Sequence, residues 1–155
     1  MLPNLIEYIK IAKQNKLVTR INTNGWGITE EHLTKWLDEG LDQVCLSIYG
    51  LSSKDVAAIR GNKEIHRRSM NALEILSNAR CGRPFLFIMQ TIIMRSSYTI
   101  IPKLVAKSFK SKCDFFWPSY LEDAFNLPGL RLEKTDIFDF KNNVKNLLCV
   151  AKLTY

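Results

Sequence analysis

Small polar side chains end two apolar stretches of the sequence, and they are the residues best placed to do chemistry. The stretches 17–25 and 44–50 each run through apolar and β-branched residues and then end in polar residues and a glycine. In open sheets and barrels built from strand–helix units, ligands bind just beyond the carboxyl ends of the strands. The sequence therefore predicts a binding site formed by Asn22, Thr23, Asn24 and Ser47. The pattern identifies no catalytic residue and no metal ligand.

Strands and helices alternate along the chain in the periodicity of their apolar residues. The predicted strands are Leu17–Thr23, Gln43–Ile48, Phe85–Met94 and Cys113–Trp117. The predicted helices are 3–15, 29–39, 65–79, Ile100–Lys112 and Asp136 to about Lys152. Spacings of 25 to 40 residues between strands indicate βαβ units and a parallel sheet. Because an eight-stranded barrel needs roughly 250 residues, four strands predict an α/β fold that is a partial parallel barrel or a small open sheet.

Several local features make the prediction specific enough to test. Thr29 is expected to cap the second helix, and Thr135 the last one. Residues 51–63 are expected to form a loop with at most a helical turn. Pro118 is expected to end the fourth strand, with the aromatic residues of 116–120 in the core. We expect two regions, a partial barrel over 1–120 and an extension over 121–155 that ends in the last helix.

Alternation along the second strand assigns its two faces. Val44, Leu46 and Ile48 are predicted to face the helices, and Cys45 and Ser47 to face the interior of the barrel. Gln90 interrupts an otherwise apolar strand and is interpreted as a hydrogen-bonded polar group rather than a ligand.

Composition narrows the class of protein. The chain has 155 residues, of which 46% are hydrophobic and 24% charged, as in ordinary globular proteins. It contains no apolar run of about 18 residues and no recognisable signal peptide, so we expect a cytoplasmic protein without a membrane segment. The four cysteines form no C-x-x-C pair, which argues against a local metal knuckle and favours reduced, buried thiols.

The net charge of +7 raises the question of an anionic partner. The basic residues are spread along the chain, and their single cluster, 66–68, is interpreted as a solvated helix face. Since no nucleic-acid-binding motif accompanies them, the sequence does not predict binding to nucleic acid.

The ordered set of motifs resembles the radical S-adenosylmethionine (radical SAM) enzymes. A helix is followed by a strand ending in Thr-Asn-Gly at 23–25, a helix, and a strand ending in Ser-Ile-Tyr-Gly at 47–50. An Arg-Gly pair follows at 60–61, ahead of the next helix. The same order and spacing are found in that family. The resemblance covers residues 3–117 and is strongest for the branch that matures cofactors or modifies peptides and sulfatases.

The resemblance implies a chemistry and a set of binding residues. Radical SAM enzymes reductively cleave S-adenosylmethionine at a [4Fe-4S] cluster, and the resulting 5′-deoxyadenosyl radical abstracts a hydrogen from the substrate. Carried over to this chain, Ser47 binds the carboxylate of S-adenosylmethionine and Arg60 pairs with the same carboxylate. Asn22, Thr23 and Asn24 line the cofactor end of the barrel.

Two of the family's motifs do not occur in this sequence. The C-x-x-x-C-x-x-C loop that holds the cluster and the Gly-Gly-Glu segment that contacts the methionine amine are both missing, and both belong before the first helix. The expectation is a chain that lacks the first two strands of the barrel. The cluster ligands are then not in this chain, and its exposed sheet edge favours self-association.

Two other functions are compatible with the same residues. One is a noncatalytic, degenerate strand–helix module that acts in binding or protein interaction. The other is an unrelated phosphate-binding enzyme, although no glycine-rich phosphate loop supports it. The sequence does not identify the substrate.

Overall fold

The computed structural model describes residues 4–120 and 129–152. The side chains of Ala58, Arg60 and residues 146–152 lie outside that description. The part of the predicted extension over 121–128 also lies outside the described residues.

Four strands and six helices alternate along the described chain, as the sequence predicts. The strands are β1 (Arg20–Thr23), β2 (Gln43–Ser47), β3 (Leu86–Ile93) and β4 (Phe115–Tyr120). The helices are α1 (Leu5–Gln14), α2 (Glu30–Asp38), α3 (Ser53–Arg60), α4 (Glu64–Ala79), α5 (Ile101–Lys110) and α6 (Lys134–Lys152). A short 3₁₀ turn, Tyr98–Ile100, leads into α5.

The strands form one parallel sheet in which their spatial order is their order in the chain, β1-β2-β3-β4. Each connection carries at least one helix, as parallel pairing requires. A sequential, singly wound parallel sheet is the arrangement of a barrel rather than of a doubly wound sheet. The predicted fold class, an α/β partial parallel barrel, is confirmed.

The helices cover one face of the sheet, and the core lies between them and that face. Val44, Leu46 and Ile48 of the second strand region are fully buried there, as predicted, together with Phe87 and Met89 of β3. Leu33 and Trp36 of α2 and Leu73 and Leu76 of α4 supply the helical side of the core. The opposite face of the sheet, which we call the inner face, carries Arg20, Asn22, Gln43, Cys45, Ser47, Leu86, Ile88, Gln90, Phe115 and Trp117.

Helix ends account for two differences between prediction and structure. The first strand begins at Arg20 rather than Leu17, because the chain before it completes the end of α1. The N–H of Leu17 donates to the carbonyl of Ala12, and Lys16 has a left-handed backbone with φ 58°, the geometry of a helix C-terminal cap. Within the predicted loop at 51–63, residues Ser53–Arg60 form the helix α3. The hydroxyl of Ser52 accepts a hydrogen bond from the N–H of Asp55 and caps the start of this helix.

The predicted N-cap is correct for α2 and wrong for α6. Thr29 caps α2 as predicted, and its hydroxyl accepts a hydrogen bond from the N–H of His32 at 3.1 Å. Thr135 does not cap α6, which begins one residue before it. The carboxylate of Asp136 instead accepts the N–H of Glu133 at 2.8 Å and fixes the start of that helix.

The fourth strand continues through Pro118, contrary to the prediction that it ends there. The N–H of Asp114 donates to the carbonyl of Phe87. The backbone groups of every second residue after Asp114 therefore point toward β3, and Pro118 is one of these residues. Proline has no N–H to give to that strand. The hydroxyl of Ser119 donates to the carbonyl of Thr91 at 3.3 Å, which satisfies the acceptor that Pro118 leaves without a backbone partner.

Of the two interpretations that residues 116–120 allow, an aromatic core or a strand tip that faces the substrate, the core is wrong for all but Phe116, and the substrate-facing tip stays a prediction. Phe116 is partly buried against the core, but Trp117 and Tyr120 are exposed. Both lie on an edge strand, where the described residues provide no further strand to cover them.

Two aspartates fix the amino end of the sheet. Asp42, just before β2, accepts hydrogen bonds from the N–H of Thr19 at 2.7 Å, the Thr19 hydroxyl at 2.8 Å and the Lys13 ammonium at 2.9 Å. Asp114, just before β4, accepts hydrogen bonds from the N–H of Phe87 at 2.7 Å and from two nitrogens of the Arg80 guanidinium, Nε and one terminal nitrogen. Each carboxylate therefore joins the starts of two neighbouring strands.

These contacts predict an acid-sensitive fold. Burial raises the pKa of Asp42, but the hydrogen bonds from Lys13 and Thr19 outweigh it and leave the pKa below its ordinary value. A carboxyl whose pKa is lowered by folding stabilises the protein above its unfolded pKa, and that contribution is lost as the pH falls through the folded value. We expect Asp42→Asn to lower the free energy of unfolding at pH 7 by about 1–3 kcal/mol and to flatten the decline below about pH 4.

Urea unfolding measured from acid to neutral pH tests this expectation. Glu74→Gln is the matched control, because Glu74 lies on the exposed side of α4 and no hydrogen bond or ion pair engages it within the described residues. The control should follow the wild-type curve. A wild-type pH profile retained by the Asp42 variant would show that the carboxylate does not join the strands.

Gly25, in the turn after β1, packs directly against α4. Its φ is +86°, and a Cβ atom there would lie 2.9 Å from the Cβ of Ala72 and 2.9 Å from the Cα of Ser69. Neither contact can be relieved by rotating a flexible side chain. The carboxyl end of β1 is therefore held against the middle of α4 only because residue 25 has no side chain.

Alanine substitution separates this close approach from backbone strain. Gly25→Ala carries both the strain of a positive φ and a clash with α4. Gly129→Ala has nearly the same φ, +87°, and none of the described residues places an atom within 4 Å of it. We expect Gly25→Ala to destabilise the fold by about 1–3 kcal/mol more than Gly129→Ala, measured by thermal or urea unfolding. Equal losses for the two variants would contradict the packing of the β1 turn on α4.

Candidate functional site

The carboxyl ends of β1, β2 and β3 bring the predicted polar residues to one end of the inner face. The register pairs Asn22 with Cys45, and Ser47 with Gln90. Residues paired in a parallel sheet point to the same side, so all four belong to the inner face. The predicted neighbourhood of Asn22 and Ser47 at adjacent strand ends is therefore present.

Two of the predicted residues use their side chains to shape the turn after β1. The hydroxyl of Thr23 accepts a hydrogen bond from the N–H of Gly25 at 3.0 Å, and the amide oxygen of Asn24 accepts one from the N–H of Trp26 at 3.0 Å. These are the local side-chain turns typical of Thr and Asn. Thr23 and Asn24 thus position the strand end, while contact with a ligand stays a prediction for both.

Asn22 is exposed on the inner face. Its amide oxygen accepts a hydrogen bond from the Nε of Arg20 at 3.0 Å. Within the described residues no hydrogen bond engages the amide nitrogen, which is left as a donor on this exposed side chain.

Ser47 provides a hydroxyl without a partner. The side chain is half-buried, and within the described residues no hydrogen bond engages its hydroxyl. Next to it, the thiol of the fully buried Cys45 donates to the amide oxygen of Gln90 at 3.2 Å, which confirms that Gln90 is hydrogen-bonded. That contact fixes the Gln90 oxygen and leaves its amide nitrogen as a second donor beside Ser47.

Arg60 is the last residue of α3, and the structure describes its backbone but not its side chain. Its pairing with a ligand therefore stays a prediction. The backbone places α3 close to the end of β2, because a Cβ at Gly50 would lie 2.7 Å from the Cβ of Asp55. The helix that carries Arg60 is thus packed tightly on the loop that follows Ser47.

Two arginine–tryptophan contacts near the site were not predicted from the sequence. The guanidinium of Arg20 lies 4.8 Å from the ring centre of Trp117, and that of Arg68 lies 3.7 Å from the ring centre of Trp26. Both are within the range of cation–π attraction. Arg68 was interpreted as part of a solvated face; it stacks on the turn after β1 instead. The sequence contained one signal for the Arg20 contact: alternation along β1 places Arg20 and Asn22 on the same face of the sheet.

The Arg20–Trp117 contact joins the two outer strands of the sheet, β1 and β4, across the inner face. An open cleft of about 400 Å³ lies on the same face, and its lining includes Arg20, Gln43, Leu86, Ile88, Phe115 and Trp117.

The described residues do not fit an iron–sulfur cluster. They contain no group of three His, Cys, Asp or Glu side chains placed to hold a metal ion. Cys45 lies in β2, Cys81 in the loop after α4 and Cys113 in the loop before β4. Burial raises the pKa of the Cys113 thiol to about 12, which opposes the thiolate form that a cluster requires. Within the described chain, no helix is long and apolar enough to cross a bilayer.

Comparison with known proteins finds similar sequences and structures, although no protein-family model matches the chain. A PqqA peptide cyclase from Rhizobium meliloti (strain 1021) is 33% identical over 88 residues, which are 52% of this chain and 24% of the cyclase. The chain thus spans about a quarter of that relative.

The solved structures show the fold. Streptococcus suis SuiB bound to S-adenosylmethionine matches 96% of this chain with a TM-score of 0.73 and 16% identity, and the match covers 32% of SuiB. SuiB bound to its precursor peptide SuiA gives a TM-score of 0.74 at the same identity. TYW1 with a lysine–pyruvate adduct bound matches 93% of the chain with a TM-score of 0.64 and 23% identity, and the match covers 46% of TYW1.

All three proteins are radical SAM enzymes. The sequence similarity to the cyclase and the fold shared with SuiB and TYW1 point the same way as the motifs at 23–25, 47–50 and 60–61. Together they support the resemblance of this chain to a partial domain of the radical SAM superfamily.

Proposed function

We propose that this chain is the part of a radical SAM enzyme that binds S-adenosylmethionine at the carboxyl ends of β1 and β2. The whole protein would cleave S-adenosylmethionine reductively at a [4Fe-4S] cluster whose ligands lie outside the described residues, and would use the 5′-deoxyadenosyl radical to abstract a substrate hydrogen. The observation that carries the proposal is the hydroxyl of Ser47 on the inner face, between the strands of Asn22 and Gln90, which no hydrogen bond engages within the described part of the chain.

Each residue has a separate task in this proposal. Ser47 donates its hydroxyl hydrogen to the carboxylate of S-adenosylmethionine, and Arg60 pairs with the same carboxylate through its planar fork of donors. Asn22 lines the site with its free amide nitrogen. Thr23 and Asn24 hold the turn that sets where Asn22 lies.

The names of the relatives favour a peptide as the substrate of the whole protein. One relative is a peptide cyclase, and SuiB was crystallised with a precursor peptide. The open cleft on the inner face is consistent with a large substrate, because no described strand joins β4 to β1 and closes the sheet. We therefore propose a peptide substrate in preference to a sugar or a small cofactor.

The alternative is a noncatalytic module of binding or protein interaction. The observation that favours it is the lack of a three-ligand metal group within the described residues. The two functions differ in whether Ser47 and its neighbours bind S-adenosylmethionine.

Titration of the chain with S-adenosylmethionine tests the proposal directly. We expect binding that Ser47→Ala weakens about tenfold or more, because a hydrogen bond to a charged carboxylate is lost. Thr34→Ala is the matched control, since it removes a hydroxyl from the exposed surface of α2, and it should bind as the wild type does. Calorimetry or ligand-observed NMR measures both constants.

Two results would contradict the proposal. Binding unchanged by Ser47→Ala would show that the ligand does not contact this strand end. A folded wild-type chain that binds no S-adenosylmethionine at millimolar ligand would favour the noncatalytic module.

A further inference from the structure

Arg20 is the charged side chain that the described strands place on the inner face. The other residues of that face are amides, a hydroxyl, a thiol and apolar side chains: Asn22, Gln43, Cys45, Ser47, Leu86, Ile88, Gln90, Phe115 and Trp117. Within the described chain, no carboxylate pairs with Arg20. Its positive charge is therefore available to an anionic ligand.

Two contacts hold the Arg20 guanidinium in place. Its Nε donates to the amide oxygen of Asn22 at 3.0 Å, and its carbon lies 4.8 Å from the ring centre of Trp117. Neither contact uses the two terminal nitrogens, and no hydrogen bond engages them within the described residues. A guanidinium that is already oriented loses less freedom when it binds a ligand. The contacts thus fix the guanidinium and leave the fork of donors at its end for a ligand.

The cleft beside this guanidinium is mostly apolar. Leu86, Ile88 and Phe115 contribute to its lining, and Leu86 and Phe115 are exposed although both are large and apolar. Among the described lining residues, Gln43 is the other side chain with a polar group besides Arg20 and the indole of Trp117. Apolar walls with a few placed polar groups are typical of a ligand site. The cleft suits a group that has an apolar body and one anionic end.

A carboxylate is the anionic group that this environment fits best. The planar fork of a guanidinium binds the two oxygens of a carboxylate side by side. Arg20 supplies one positive charge, and the described strands add no second cation on the inner face, whereas a phosphate group carries a charge of about −2. A lysine of a ligand would meet a like charge here.

This position differs from the one proposed for the carboxylate of S-adenosylmethionine. Asn22, which holds the guanidinium, pairs with Cys45, two residues before Ser47 and so roughly 7 Å from it along the strand. Trp117 lies on β4, two strands and roughly 10 Å across the sheet from β2. A carboxylate bound between Asn22 and Trp117 is therefore a second carboxylate, nearer the amino end of β1 and the middle of the inner face.

We propose that Arg20 binds a carboxylate of the peptide substrate, with the adjoining apolar part of the peptide on the cleft. The carboxylate belongs to an acidic side chain or to the carboxyl terminus of the peptide. The inference rests on the proposed function for its peptide substrate. It makes Arg20 the residue that determines which peptides the protein accepts, because neutral and basic groups lose the charged hydrogen bonds at this point.

Ligand-observed NMR with short peptide probes at millimolar concentration measures this preference. The probes are acetyl-Phe-Glu amide, acetyl-Phe-Gln amide, acetyl-Phe-Lys amide and acetyl-Phe-Gln with a free carboxyl terminus. We expect a carboxylate probe to bind about tenfold more tightly than the Gln amide, because charged hydrogen bonds are gained, and the Lys amide to bind most weakly. Tighter binding of the Glu amide assigns the site to an acidic side chain, and tighter binding of the free acid assigns it to the terminus.

Substitutions separate Arg20 from the overall charge of the chain. Arg20→Gln should abolish the preference for a carboxylate, and Arg20→Lys should keep only part of it, because lysine keeps the charge but not the fork. Arg83→Gln is the matched control, since it lowers the net charge of +7 by the same amount at a residue that pairs with Asp38 on α2. It should keep the full preference. Far-UV circular dichroism verifies that all three variants fold.

Two results would overturn the inference: a folded wild-type chain that binds all four probes equally, and an Arg83→Gln variant that loses as much preference as Arg20→Gln. Titration of the same samples with S-adenosylmethionine separates this inference from the proposed function. A chain that binds S-adenosylmethionine without preferring a carboxylate probe overturns the inference alone. A preference that depends on Arg20 in a chain that binds no S-adenosylmethionine supports the carboxylate site and contradicts the proposed function.

Discussion

The helix-covered face of β2 and β3 is the constraint on which the rest of the structure depends. Val44, Leu46, Phe87 and Met89 are fully buried there, and a shift of one residue in either strand would expose the whole set. Because side chains alternate, this packing also fixes what points the other way. Ser47 and Gln90 lie on the inner face as a direct consequence of the burial of their neighbours, so the core and the site are determined by the same register.

The two ends of the sheet use polar groups for different purposes. At the amino end, Asp42 and Asp114 have their carboxylate oxygens engaged by backbone N–H groups and by Lys13 and Arg80. Polar groups that are paired within the protein stabilise it and have little capacity left for a ligand. At the carboxyl end, within the described residues, no hydrogen bond engages the hydroxyl of Ser47. This difference is one reason why we propose the carboxyl end as the binding site.

The sequence predicted the order of elements and both faces of β2, because apolar alternation and helical periodicity are set by burial, which is the largest energy in the fold. The prediction from sequence failed where a single hydrogen bond decides the boundary of an element. The cap at Ser52 starts a helix where a loop was predicted, and Leu17 completes the end of α1 where a strand was predicted to begin. It also failed at Pro118, because the orientation of one backbone group depends on the neighbouring strand. The Arg20–Trp117 contact joins β1 and β4, which are far apart in the sequence, so no local pattern encodes it.

The central claim is that this chain is part of a radical SAM enzyme, and the coding sequence immediately upstream of Met1 tests it most directly. Read in frame, that sequence should encode C-x-x-x-C-x-x-C, followed by Gly-Gly-Glu ahead of α1. The first motif would supply the cluster ligands that the described residues do not, and the second would complete the contacts to S-adenosylmethionine. A stop codon directly upstream, with neither motif between it and Met1, would contradict a catalytic role for this polypeptide and leave the binding module as its function.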